Sequence, residues 1–167
     1  MKRVAVLCVL IASASFAWAA PDEAKKPSRL ESIKALAGTW EMKGEDGKAG
    51  PTVSYRVTSA GSAVMETLFA GTPKEMITMY TMEGDDLVLT HYCAMGNQPH
   101  MKALPEKDAK VIAFEFTSGG DMKSRDELHM DSLTMTFTDA THLRHDWTMW
   151  QGGKVVQTVT LEFTKKP

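Results

Sequence analysis

The sequence predicts an all-β protein: an antiparallel meander of about ten strands, closed into a β-barrel behind a short N-terminal helix. Three observations carry this. Apolar or β-branched runs recur along residues 38–164, with turn residues between them. Helical spacing is confined to one stretch ahead of the first run. Within the runs apolar and polar residues alternate, so each strand has one greasy face and one Thr-rich face, and closing such a sheet on itself removes its exposed edges. A two-sheet sandwich satisfies the same alternation, but the preceding helix favours a barrel with a plugged end.

Residues 1–19 read as a secretory signal. Lys2 and Arg3 precede an uncharged apolar run over 4–18, and Ala17 and Ala19 are the small residues a signal peptidase reads. The run is short for a membrane span, and a polar stretch follows it without a stop-transfer pattern, so no stable membrane anchor is expected. The expected product is exported to the periplasm or the medium after cleavage near Ala19. Residues 20–27, rich in Pro, Lys and Glu, read as a flexible leader, and 28–167 as one barrel domain.

Ser28 with Glu31 forms a capping-box pattern, and Leu30, Ile33 and Leu36 share one helical face that should end near Gly38. Strands are then expected at 38–43, 52–58, 63–69, 75–82, 86–95, 99–104, 110–117, 128–138, 142–150 and 154–164. Alternation puts Leu133, Met135 and Phe137 on one face of their strand. It likewise puts Val155, Val159, Leu161 and Phe163 together on the last strand.

Cleavage after Ala19 leaves 148 residues with 17 basic and 21 acidic side chains, a formal charge of −4. That balance argues against nucleic acid or an anionic membrane as a partner. Cys8 leaves with the signal, so Cys93 is the one cysteine of the mature chain and no intramolecular disulfide can form. A monomer or small homo-oligomer is expected.

The segment Leu36-Ala37-Gly38-Thr39-Trp40, a helix running into Gly-x-Trp on the first strand, resembles the lipocalin and fatty-acid-binding superfamily of calycin-type barrels. The likeness is nearer to the lipocalin-like domains of unknown function in exported bacterial proteins, and more distant to the heme-binding nitrobindin barrels. It implies a ligand-binding barrel in which Gly38 lets the strand bend and the Trp40 indole closes the floor. It also implies an arginine stacked on that indole, a place open to Arg144 or Arg56. The chain departs from most lipocalins in lacking a disulfide and a C-terminal helix.

Candidate chemistry centres on 87–95, where Leu87, Leu89, His91, Cys93 and Met95 share the face that begins apolar. On the strand over 142–150, Leu143, His145, Trp147 and Met149 share a face, which brings a second imidazole inside. Glu66 alternates with Val64 and Leu68 and also points inward, where a lone carboxyl needs a partner such as Arg56. These residues predict a pocket for a small, largely apolar or amphipathic molecule, anchored by Glu66, Tyr80, His91, Cys93, His145 and Trp147. Met65, Met76, Met79, Met82, Met95, Met135 and Met149 would supply an adaptable lining.

Two other readings use the same residues. His91, Cys93, Met95 and His145 are soft donors suited to Cu(I), and a single histidine suits heme iron. His91 with Glu66 offers an acid and a base, although no nucleophile elbow, zinc-protease helix, phosphate loop or dinucleotide fingerprint occurs, so binding is expected rather than catalysis. In a plain structural reading Cys93 and the methionines simply fill the core, and no cofactor is named by the sequence.

Overall fold

A computed structural model describes residues 28–44 and 48–167. The expected signal and leader, and the turn at 45–47, lie outside the described residues. The elements are α1 (Arg29–Lys34), β1 (Gly38–Lys43), β2 (Ala49–Thr58), β3 (Ala63–Leu68), β4 (Met76–Glu83), β5 (Asp86–Tyr92), β6 (Gln98–Ala103), β7 (Val111–Gly120), β8 (His129–Phe137), β9 (His142–Gln151) and β10 (Lys154–Lys165). Each strand pairs antiparallel with its sequence neighbour, and β10 pairs with β1, so the meander closes into a barrel. The sandwich alternative is thereby removed.

Alternation decides the inside. Trp40, Val53, Tyr55, Val64, Leu68, Tyr80, Leu89, Met101, Phe114, Leu133, Met135, Leu143, Trp147 and Phe163 are buried, and cross-strand partners such as Trp40 and Val53 share the inner face. Helix α1 packs against β2, β3 and β4 and seals one end with Leu30 and Ile33. Its Ser28 makes no side-chain capping bond; the backbone carbonyl of Ser28 accepts from Glu31 N–H at 2.9 Å, while the Glu31 carboxylate is taken by Lys34 at 2.7 Å. Gly38 has φ +128°, a backbone that side-chain-bearing residues rarely adopt, and it turns the chain from helix into strand. Trp40 follows, fully buried, donating from Nε1 to Leu36 O at 2.8 Å.

Three expectations need correction. Strand β5 ends at Tyr92, where Gly96 N–H bonds Cys93 O at 2.9 Å in a turn containing Gly96 at φ +91°. The turn breaks the period of two, so Cys93 is only half-buried and Met95 is 40% exposed; neither continues the row of His91. In β10 the register shifts between Val155 and Gln157, which takes Val155 off the inner row of Val159, Leu161 and Phe163 and leaves it half-exposed. The cation over the Trp40 ring is Lys165, with Nζ 5.4 Å from the centroid, and neither Arg56 nor Arg144.

Candidate functional site

A row of polar side chains crosses the inner wall of the barrel. Tyr55 on β2 is in register with Glu66 on β3, Glu66 with Thr78 on β4, and Thr78 with His91 on β5. Because partners in register share a face, one inward parity choice on each strand suffices to line up all four. Tyr80, two residues along β4, joins the same cluster. From the opposite wall β9 contributes His145 and Trp147. The structure therefore brings together Glu66, Tyr80, His91, His145 and Trp147 of the expected set, and leaves out Cys93, whose Sγ lies 3.9 Å from Met76 Sδ.

Glu66 is fully buried. Tyr55 donates its hydroxyl to Oε1 at 2.7 Å and Tyr80 donates to Oε2 at 2.7 Å. Burial pushes the Glu66 carboxyl up to about 7, with these hydrogen bonds pulling the other way. Burial first, and the neighbouring carboxylate second, push the Tyr55 hydroxyl well above its ordinary range. Arg56, the partner expected from sequence, points to the outer face and touches Met65 Sδ at 3.8 Å. Its parity on β2 is opposite to that of Tyr55, so it cannot reach the lumen.

The two imidazoles are neutral at pH 7. Burial lowers His91 to about 4 and His145 to about 3. His91 Nδ1 bonds Thr78 Oγ1 at 2.9 Å, and its ring lies 4.8 Å from Trp147. His145 Nε2 bonds the Tyr55 hydroxyl at 3.2 Å, and its ring meets Phe163 edge-on at 4.9 Å. His145 Nδ1 stands 3.6 Å from Glu66 Oε1, too far for a hydrogen bond, and a neutral ring makes no ion pair. His91 Nε2 and His145 Nδ1 are thus buried without a hydrogen-bond partner. Leaving such atoms unpaired costs roughly 1–3 kcal/mol each, so each calls for an explanation.

The surface hollows lie elsewhere. One of about 960 Å³ sits beside α1, lined by Arg29, Leu87 and Lys102 among others. Another of about 620 Å³ lies among β1, β9 and β10, lined by the core residues Met42, Leu143 and Phe163 as well as by Glu41, Arg144 and Glu162. Neither is lined by Glu66, His91 or His145.

Tyr55 and Thr78 were missed from sequence, as was a further buried histidine, His129, near the opposite end of the strands from α1. The signal for Tyr55 was its alternation with Val53; Thr78 was hidden because threonine elsewhere marks the outer face. His129 is fully buried, touches Arg125, and donates from Nδ1 to Glu127 O at 2.6 Å. The Arg125 guanidinium lies 4.3 Å from the Phe116 centroid and 4.7 Å from that of Trp150 and pairs with Asp131, which fastens the loop 121–128 to the wall. Among the described residues no group of three or more His, Cys, Asp or Glu side chains is arranged to hold a metal ion.

No family model and no curated protein matches the chain. A solved structure, that of Rv2717c from M. tuberculosis, is similar: TM-score 0.54 at 15% identity, with 83% of this chain and 97% of that one covered. At that identity the likeness shows the barrel fold and no more.

Proposed function

We propose that this protein is an exported carrier or sensor of a small molecule, held inside the barrel by Glu66, Tyr80, His91, His145 and Trp147, with Tyr55 and Thr78 orienting them. The observation that carries the reading is the pair of buried ring nitrogens, His91 Nε2 and His145 Nδ1, without partners beside a buried carboxyl. A core that served packing alone would be more stable with apolar residues there. Calycin-type kinship is supported by Gly38-x-Trp40 and the helix-plugged end, and export by the basic start, apolar run and Ala17-x-Ala19 of the N-terminus.

Heme and copper have less support. His91 has the arrangement of a metal-ligating imidazole, one nitrogen tied to Thr78 and the other bare. Its ring is packed against Trp147 and 1% exposed, which leaves no open face for a macrocycle. The soft donors of a copper site are separated, with Cys93 and Met95 in the turn after β5. An acid–base role for Glu66 and His91 fits a carboxyl poised near neutrality, but no third group forms a nucleophile beside them.

Native mass spectrometry of the protein purified from its own host tests the reading. The expected result is a chain beginning near Ala20 with a small bound mass, which His91→Phe or His145→Phe removes. A bare mass, together with no binding across a small-molecule panel, would overturn it.

A further inference from the structure

The last strand is longer than the neighbour that closes the barrel on it. β10 pairs with β9 from Lys154 to Thr164, but with β1 only through Phe163, Thr164 and Lys165, since β1 ends at Lys43. Among the described residues, the other edge of β10 over 154–161 therefore pairs with no strand. The N–H and C=O groups along such an edge are a template for another chain. Residues 154–158 are all exposed, Val155 by 50% and Val156 by 45%. Edges of this kind are ordinarily blunted by charged side chains or proline. Here Val155-Val156-Gln157-Thr158-Val159-Thr160-Leu161 has no charge, no Pro and no Gly, the composition that pairs between chains. The register shift between Val155 and Gln157 is confined to the tip, and Gln157 to Leu161 follow β9 in regular register.

We propose that this edge is the interface of a homodimer, in which the β10 strands of two copies pair antiparallel about a two-fold axis at Thr158. The charges at the two ends of the uncharged run identify the occupant as a second copy. Lys154 precedes the run and Glu162 follows it. A two-fold at Thr158 sets Lys154 opposite Glu162 of the partner subunit, and the same pair recurs on the other side of the axis. Between these pairs only uncharged side chains meet, so no like charges are brought together. A parallel arrangement would instead set lysine on lysine and glutamate on glutamate. Lys154 belongs to none of the ion pairs within the described residues. Glu162, 3.2 Å from Lys43, keeps 49% of its side chain exposed and can take a second cation. Two-fold pairing covers the edge in both copies, so assembly stops at two.

Size-exclusion chromatography with light scattering on the mature protein tests this, and the expected mass is twice that of one chain. Thr158→Lys sets two like charges at the axis and should raise the dimer dissociation constant at least about tenfold, with the fold intact by circular dichroism. Lys154→Glu should weaken the dimer, and adding Glu162→Lys should restore it, because each cross-strand pair is rebuilt with its signs exchanged. Thr158→Cys in a Cys93→Ser chain should give a disulfide-linked dimer on mild oxidation, since directly opposite Cα atoms stand about 4.5–5.5 Å apart. A dimer indifferent to Thr158→Lys and to the charge exchange uses another surface and would overturn the proposal. So would a monomer at every concentration, and slow hydrogen exchange of the 154–161 amides in that monomer would show that another segment of the chain covers the edge. Assemblies larger than two would overturn the two-fold arrangement.

Discussion

At the plugged end, Leu30, Ile33, Leu36 and Trp40 are buried, and the polar atom among their side chains, Trp40 Nε1, donates to Leu36 O at 2.8 Å. Elsewhere in the same interior, Glu66, His91 and His145 are just as buried, yet two of their ring nitrogens have no partner and the carboxyl has no counter-ion. The first region contributes stability in the ordinary way, by removing apolar surface from water with its few polar atoms satisfied. The second gives stability up. The difference teaches where function is to be sought in this barrel: at the groups whose burial the fold does not repay.

The contrast is sharpest if the two regions are altered separately. Trp40→Ala removes the floor of the plugged end and should destabilise by about 3–5 kcal/mol, read as a lower denaturant midpoint. A loss below about 1 kcal/mol would mean that the plug is not a stabilising region.

Acid should act through the polar region instead. His91 and His145 have folded values of about 4 and 3 against an ordinary 6.5, so the stability they contribute is present above 6.5 and falls as pH drops below it. Glu66, raised to about 7 from 4.5, has the opposite sign: its contribution is full below 4.5 and fades as pH rises through 7. Between pH 6.5 and 4.5 the two imidazoles outweigh the one carboxyl, and the protein should lose stability at about 1.4 kcal/mol per pH unit, or about 3 kcal/mol across that window. Urea titrations at pH 4.5, 5.5 and 6.5 measure this; a flat profile would show that these rings are not enclosed in solution.

His145→Phe should raise stability at pH 7 by about 1–3 kcal/mol, since it replaces an unpaired buried nitrogen with an apolar ring, and should flatten the acid profile. If it destabilises, the imidazole is a structural member of the core and the contrast between the regions fails. The smallest effect belongs to Lys165→Met, which removes the cation 5.4 Å from the Trp40 ring but keeps the aliphatic cover. A loss of about 0.5–1 kcal/mol, sensitive to neither ligand nor acid, is expected in the same denaturation assay.

Most of the fold was legible from the chain because the physics of a strand is local. Gly38–Lys43 and the hairpins after it were readable from alternation and turn residues, since each side chain's face depends only on its immediate neighbours. The failures share one cause. Cys93, Met95 and Val155 were placed by extending a period of two through a turn or a bulge, where the backbone drops it. Arg56 was paired with Glu66 on charge alone, although its parity on β2 sends it outward.

The sequence by itself determined which side chains face inward, so that Glu66, His91 and His145 could be named as buried before any coordinates. Only the closed barrel decided which of them meet. Register sets Tyr55, Glu66, Thr78 and His91 in one row, and closure through β10 and β1 carries His145 across the lumen to the Tyr55 hydroxyl. Facing is a property of one strand, whereas a hydrogen bond between residues 90 positions apart depends on every pairing between them.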